Sequence, residues 1–157
     1  MTLDAISIWQ PHASLFFIGT KRYETRSWPA PARLIGQRIA IHASKPTDDL
    51  IELAEYVQDR HAGCRPVESL ERFVLTLRSG GISRLSELPR GCIIGTVLLA
   101  ASVPAETVTD GEGFGEFRPG LHAWRMIDPV RLHTPIPYRG RPGFFTIDDL
   151  PADALAA

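Results

Sequence analysis

The segment Gly19-Thr20-Lys21-Arg22-Tyr23-Glu24-Thr25-Arg26-Ser27-Trp28-Pro29 sets a lysine, a glutamate and an arginine at the spacing G-x-K-x-x-E-x-R. The stretch from Lys21 to Trp28 reads as extended, because a residue before proline avoids the helical region. On an extended chain Glu24 and Arg26 point to one face and Thr25 faces away. Lys21 would reach over that face from the end of a preceding helix. A carboxylate between two cations is held ionised. Such a cluster is either a structural ion pair or a site for a polar ligand.

Outward from this segment the pattern is mixed. Leu3 to Ile8 alternates as a strand, with Ile6 and Ile8 on one face. Pro11 suits the first turn of a short apolar helix containing Ala13, Leu15, Phe16, Phe17 and Ile18. Gly19 then stands where a helix end favours the left-handed conformation. Arg38 to Ser44 alternates as a second strand. Thr47 is an N-cap for a helix through Val57, with Asp48 and Asp49 in its first turn and Leu50, Leu53, Ala54 and Val57 at helical spacing. A further helix is predicted around Ser69 to Leu77. Gly91 to Val103 is a nearly continuous apolar run, as in a strand buried on both sides, and Gly95 within it marks a bulge or a close backbone approach. His122 to Ile127 and Val130 to His133 read as short strands parted at Asp128-Pro129, and Gly143 to Ile147 as the last. Short strands with helices inserted early predict a small α+β fold built on a mixed β-barrel.

The chain has 157 residues, 44% of them hydrophobic and 22% charged, which fits one soluble globular domain. No apolar run reaches the roughly 18 residues needed to span a bilayer. The N-terminus lacks the pattern of a signal peptide. Cys64 and Cys92 lack the close pairing of a zinc or redox motif. These features predict a cytoplasmic protein away from membranes. The total of 17 basic against 18 acidic residues speaks against a general polyanion binder. The charges are segregated, however. Lys21 to Lys45 carries six basic residues against Glu24, a local +5, and Arg118 to Arg141 carries five arginines against Asp128, a local +4. Fifteen of the 17 basic residues are arginine, the side chain suited to phosphate and to stacking on bases. Two basic segments on one face would bind a polyanion while the whole molecule stays near neutral.

The sequence resembles the ASCH (activating signal cointegrator homology) domain family, a branch of the PUA-like superfold. The resemblance begins with Ile6-Ser7-Ile8-Trp9-Gln10-Pro11 and its apolar helix, and continues through the G-x-K-x-x-E-x-R core. Ile39-Ala40-Ile41-His42-Ala43-Ser44-Lys45 and Leu88-Pro89-Arg90-Gly91-Cys92-Ile93-Ile94-Gly95 are similar to the family's following strands. Ala123-Trp124-Arg125-Met126-Ile127-Asp128-Pro129 and Pro135 to Phe145 are similar to its closing ones. The resemblance implies one ASCH domain over residues 1–157, with a PUA-like barrel and a cleft beside the early helices, lined by the Lys/Glu/Arg motif. It implies RNA binding, or sometimes DNA binding. Some members are enzymes, a ribonuclease and an amidohydrolase of N4-acetylcytidine among them. In the amidohydrolase a Thr three residues after the retained Lys is the proposed nucleophile; here that position is Glu24, which speaks against the same mechanism.

The partner expected from motif and charge is RNA, single-stranded, or a nucleotide, bound with a steep dependence on salt. The residues assigned to it are Trp9, Gln10, Lys21, Glu24, Arg26, Trp28, His42, Lys45, Arg139 and Arg141. Trp9 and Trp28 either stack on bases or plug the core, whereas Trp124, inside an alternating strand, reads as core. Arg139-Gly140-Arg141 reads as a phosphate-contacting turn. Should the cleft cleave RNA, Lys21 and Glu24 are the catalytic candidates, with His12 or His42 as a general base. Asp110 to Gly115 reads as a mobile loop near the cleft. No cofactor and no resident metal are expected, and a divalent cation recruited with substrate is the one exception left open. Two alternatives remain: the cleft is a pocket for one modified nucleoside such as N4-acetylcytidine, hydrolysed through another nucleophile, or the cluster is a structural ion-pair network in a protein-binding module.

Overall fold

Period-two alternation places Ile6 and Ile8 on one face of strand β1 (Leu3–Ile8) and Ala5 on the other, all buried. The computed structural model describes residues 2–109 and 113–151. Helix α1 (His12–Ile18) follows Pro11 and is capped from outside the helix. The Gln10 side chain accepts from the Ser14 N–H at 3.1 Å and donates to Ser14 Oγ and to the Pro89 carbonyl, both at 2.8 Å. It satisfies a donor of the first helical turn and ties it to the approach to the central strand. Gly19 ends α1 in extended conformation, φ −137°, rather than left-handed. Glycine is required there for another reason: a Cβ would stand 2.6 Å from Thr76 Cγ2.

Strand β2 (Tyr23–Arg26) carries the motif, and β3 (Gln37–Ala43) pairs parallel to β1 in the register Ala5↔Ala40 to Ile8↔Ala43. Helices α2 (Asp48–His61) and α3 (Glu68–Ser79) each run past their expected ends. Thr47 makes no side-chain cap. On α2 the buried positions are Leu50, Leu53 and Tyr56; Ala54 is exposed and Val57 half-buried. Strand β4 (Cys92–Pro104) is the centre of the sheet, antiparallel to β3 and to β5 (His122–Pro137). The two strands expected around Asp128-Pro129 are one. Thr96 pairs with Val130 and Leu98 with Ile127, so Asp128 and Pro129 together face Val97 in a bulge. A bulge accepts the missing N–H of proline and the φ of +50° at Asp128 without ending the strand. Strand β6 (Phe144–Ile147) pairs antiparallel to β1.

The strand order is β2-β5-β4-β3-β1-β6. The α+β class stands, while among the described residues no backbone ladder closes the sheet into a barrel. Its two ends meet through side chains instead. Trp28, just after β2, packs edge-on against Trp124 of β5 and Phe144 of β6, with ring centroids at 4.7 and 6.0 Å, and Trp124 stacks on Phe144 at 5.4 Å. Arg26 Nη2 donates to the Ser7 carbonyl of β1 at 2.9 Å. Trp124 is fully buried, as its strand position predicts. The main core lies between α1 and the sheet, and a second joins α1, α2 and α3 through Leu15, Leu53, Val74, Leu77 and Phe114.

Gly95 sits where α1 presses on the sheet. A Cβ there would lie 2.5 Å from Phe17 Cζ and 2.6 Å from the Val130 carbonyl oxygen. Gly95→Ala is expected to lower stability by about 1–3 kcal/mol, read as a lower urea midpoint. An unchanged midpoint would mean that Phe17 and β5 move aside at no cost.

Candidate functional site

The end of β1, the start of α1, strand β2, the first turn of α2 and the segment 114–116 enclose a cleft of about 470 Å³. Lys21 is placed in its wall by the sharp approach of α1 to β2, and its side chain is only 1% exposed. An ammonium has three protons to donate. Around Nζ stand the Phe114 carbonyl at 3.1 Å, His12 Nδ1 at 3.3 Å and Glu24 Oε2 at 3.6 Å, with the Phe16 ring centroid at 5.3 Å. The other oxygen of Glu24 accepts from Arg26 Nε at 2.9 Å. Glu24 and Arg26 therefore share a face, as period two requires, and Lys21 reaches them.

His12, the first residue of α1, is held neutral. Burial is the main cause, the Lys21 charge adds to it, and together they lower its pKa to about 4 against the pull of Glu24 and the Phe114 carbonyl. With Nδ1 facing an ammonium, the ring proton belongs on Nε2. That atom lies 3.9 Å from Asp49 Oδ2, beyond hydrogen-bonding distance. Asp49 itself has its pKa raised, first by burial and then by Glu52 and Asp48. Phe73 meets the His12 ring edge-on at 5.1 Å.

Of the residues assigned from sequence, Trp9, Lys21, Glu24 and Arg26 come together in the cleft, and Trp9 is 44% exposed there. The others lie elsewhere. Gln10 is fully buried as the cap of α1. Trp28 belongs to the aromatic seam of the sheet, and its carbonyl accepts from Trp124 Nε1 at 3.2 Å. His42 faces the other side of the sheet, where Ser7 Oγ lies 2.9 Å from Nδ1 and the Tyr138 carbonyl 2.9 Å from Nε2. Burial lowers its pKa, so it too is neutral. Lys45 is exposed and lies over Gly91. Arg139 and Arg141 are exposed on the turn that covers His42, where a Cβ on Gly140 would come within 2.7 Å of Ser7 Oγ.

Nor do the two basic segments converge on the cleft. Arg33 pairs with Asp4 at 2.7 Å, Arg38 with Asp128, and Arg118 with Glu116 at 2.9 Å. None of the five arginines from 118 to 141 lines the cleft. Lys21 and Arg26 there face Glu24, Asp49 and Glu116, a formal charge of −1 with His12 neutral.

Sequence reasoning missed several lining residues. Thr25 lines the cleft from its edge, beside Gly115, although alternation turns it away from Glu24. Asp49 read only as a helix-dipole acid. Phe114 belonged to the loop expected to be mobile, yet it is 3% exposed and packs on Phe73 with centroids 5.1 Å apart. Residues 110–112 of that loop lie outside the described residues. Among the described residues no cluster of three or more His, Cys, Asp or Glu side chains is placed to hold a metal, and no helix is long and apolar enough to cross a membrane.

A model of the ASCH domain family matches residues 6–119. No curated protein matches the sequence. Among solved structures, ASCH from Zymomonas mobilis superposes with a TM-score of 0.53 at 16% identity, covering 92% of this chain and 87% of that one. A mutant ZmASCH from the same organism gives a TM-score of 0.50 at 16% identity over 92% and 89% of the two chains. At this identity the likeness is one of fold.

The state of His12 has a consequence for stability. Its pKa of about 4 lies below the ordinary 6.5, so between these values the unfolded chain binds a proton that the folded one refuses. Stability is therefore expected to fall as pH drops from about 6.5 to about 4, with no contribution from this group above that window. Urea midpoints measured across the window should show a smaller slope in His12→Asn, which keeps an acceptor for Lys21. A His12 imidazole titrating near 6.5 by NMR would contradict this account.

Proposed function

The chain belongs to the ASCH domain family, and from that premise we propose that it binds single-stranded RNA by taking one nucleobase into the cleft of Trp9, Lys21, Glu24 and Arg26. The observation that carries this reading is the combination of an exposed indole at the rim with fixed, opposed donors and acceptors inside. A nucleobase has an apolar face to stack and a polar edge to read. Trp9 offers the stacking surface. Glu24 accepts from an exocyclic amino group, Arg26 donates to a ring nitrogen or carbonyl oxygen, and Lys21 holds Glu24 in position for them. Sequence-specific recognition of RNA favours unstacked bases, which fit a cleft of this size better than a duplex does.

The charge of the cleft supports a base rather than a run of phosphates as its main ligand. Each cation in it is already paired with Glu24. Binding is also favoured over cleavage. The lone pair of His12 faces the Lys21 ammonium, and both oxygens of Glu24 hold cations. Neither His12 nor Glu24 is therefore open to take a proton from a ribose 2′-OH, and His42 does not line the cleft.

Affinity for a single-stranded oligonucleotide, measured at fixed salt, is expected to fall about tenfold in Trp9→Ala, the loss of one stacked base. Lys21→Met, which keeps the aliphatic stem, is expected to weaken binding with its circular dichroism unchanged. Wild-type affinity in both variants would reject the cleft as the binding site. One or two phosphate contacts give a slope of log K against log salt of about −1. A slope several times steeper would move the interface to the arginines outside the cleft.

A further inference from the structure

We propose that a second cavity, behind Lys21, takes the neighbouring nucleobase of the same strand, so that the domain reads a dinucleotide step; this rests on the cleft reading above. The cavity measures about 470 Å³, as large as the cleft. Its floor is Phe16, Val97 and Met126, all buried. One wall is the segment from Gly19 to Arg22, and the other is the bulge of β5 from Ile127 to Pro129.

The bulge is a built wall. Its two residues opposite Val97 both line the space. Asp128 adopts a φ of +50°, a conformation that a residue with a side chain keeps only when its surroundings impose it. The imposing group is Arg38. Its guanidinium pairs with the Asp128 carboxylate, and its Nη1 donates to the Asp128 carbonyl and to Thr96 Oγ1, both at 3.1 Å. Strain held in place beside a cavity is a common mark of a ligand site.

The chemistry of the cavity fits a flat heteroaromatic ring. Phe16 and the Met126 thioether suit a ring face, and sulfur–aromatic contacts are favourable. Polar groups are confined to the rim, where the Asp128 carboxylate can accept from an exocyclic amino group and the exposed Arg22 stands where a linking phosphate would pass. An aliphatic ligand would use the floor and leave this rim without a role.

Continuity ties the cavity to the cleft. Lys21 lines both, and its ammonium is held by cleft residues. The Phe16 ring, 5.3 Å from Nζ, belongs to the second floor. One residue thus partitions two cavities of equal size, as two consecutive bases splayed around a post would need.

The test uses adenylyl-adenosine, adenosine monophosphate, free adenine and free uracil as probes. Wild-type protein is expected to bind the dinucleotide at least tenfold more tightly than the mononucleotide. In Thr20→Trp, whose indole fills the second cavity from its exposed rim, the two should bind alike. The Met126 methyl of the wild-type protein should shift in NMR spectra on addition of adenine, and shift less with uracil, which lacks the amino group. Equal affinities in wild type, or a tenfold gain that survives Thr20→Trp, would overturn the proposal. A Met126 methyl silent to adenine while the Trp9 indole responds would overturn it and leave the cleft reading intact. A responding Met126 with a silent Trp9 would reject the cleft and keep the second cavity as a base site.

Discussion

An ammonium buried to 1% exposure has to be surrounded by acceptors, because removing it from water without them costs several kcal/mol. Lys21 meets that demand with groups from three separate places in the chain: the first residue of α1, strand β2 and the 114 carbonyl. Strand β2 is placed by its ladder to β5, and the charge ties the start of α1 and the 114 segment to it. The charge fixes where they stand relative to one another. Glu24 then carries the constraint onward to Arg26, and Arg26 to the main chain of β1. The cleft is therefore a by-product of satisfying one cation. The hydrophobic core behind it supplies the stability that allows such a cation to be kept.

The same pairing explains why the protein's arginines do not gather at the cleft. Segregation along the sequence does not survive folding, since Arg33 and Arg38 meet acids 29 and 90 residues away. Local sums of charge describe a chain, whereas a field is made by neighbours in space. What remains near the cleft is balanced, and balanced sites discriminate by geometry more than by attraction.

Elements whose logic is local were legible in the sequence. β1 and the Lys21–Glu24–Arg26 alignment follow from period two, and Gly95 announced a close approach that Phe17 supplies. Features set by distant partners were not legible. Nothing near His42 tells that Ser7 and Tyr138 will claim it on the far side of the sheet. Asp128-Pro129 reads as a break until Arg38 and the opposing Val97 are known. Phe114 looks like part of a glycine-rich loop until Phe73 is found beneath it. Thr25 followed the strand rule, and yet the segment at Gly115 brought the edge of the cleft around to it.

The aromatic seam has a mechanical meaning. Among the described residues β2 has one laddered neighbour, β5, and on its other side Trp28, Phe144 and the bond from Arg26 to Ser7 link it to the far end of the sheet. Glu24 and Arg26 thus ride on a strand fastened like a buckle, firm while the rings stay dry and released as a unit if they part. Contacts between rings lack the stepwise register of a ladder, so the fastening gives way all at once instead of fraying. Order at the cleft residues of β2 is therefore coupled to β6, more than a hundred residues along the chain, through a phenylalanine that does not line the cleft.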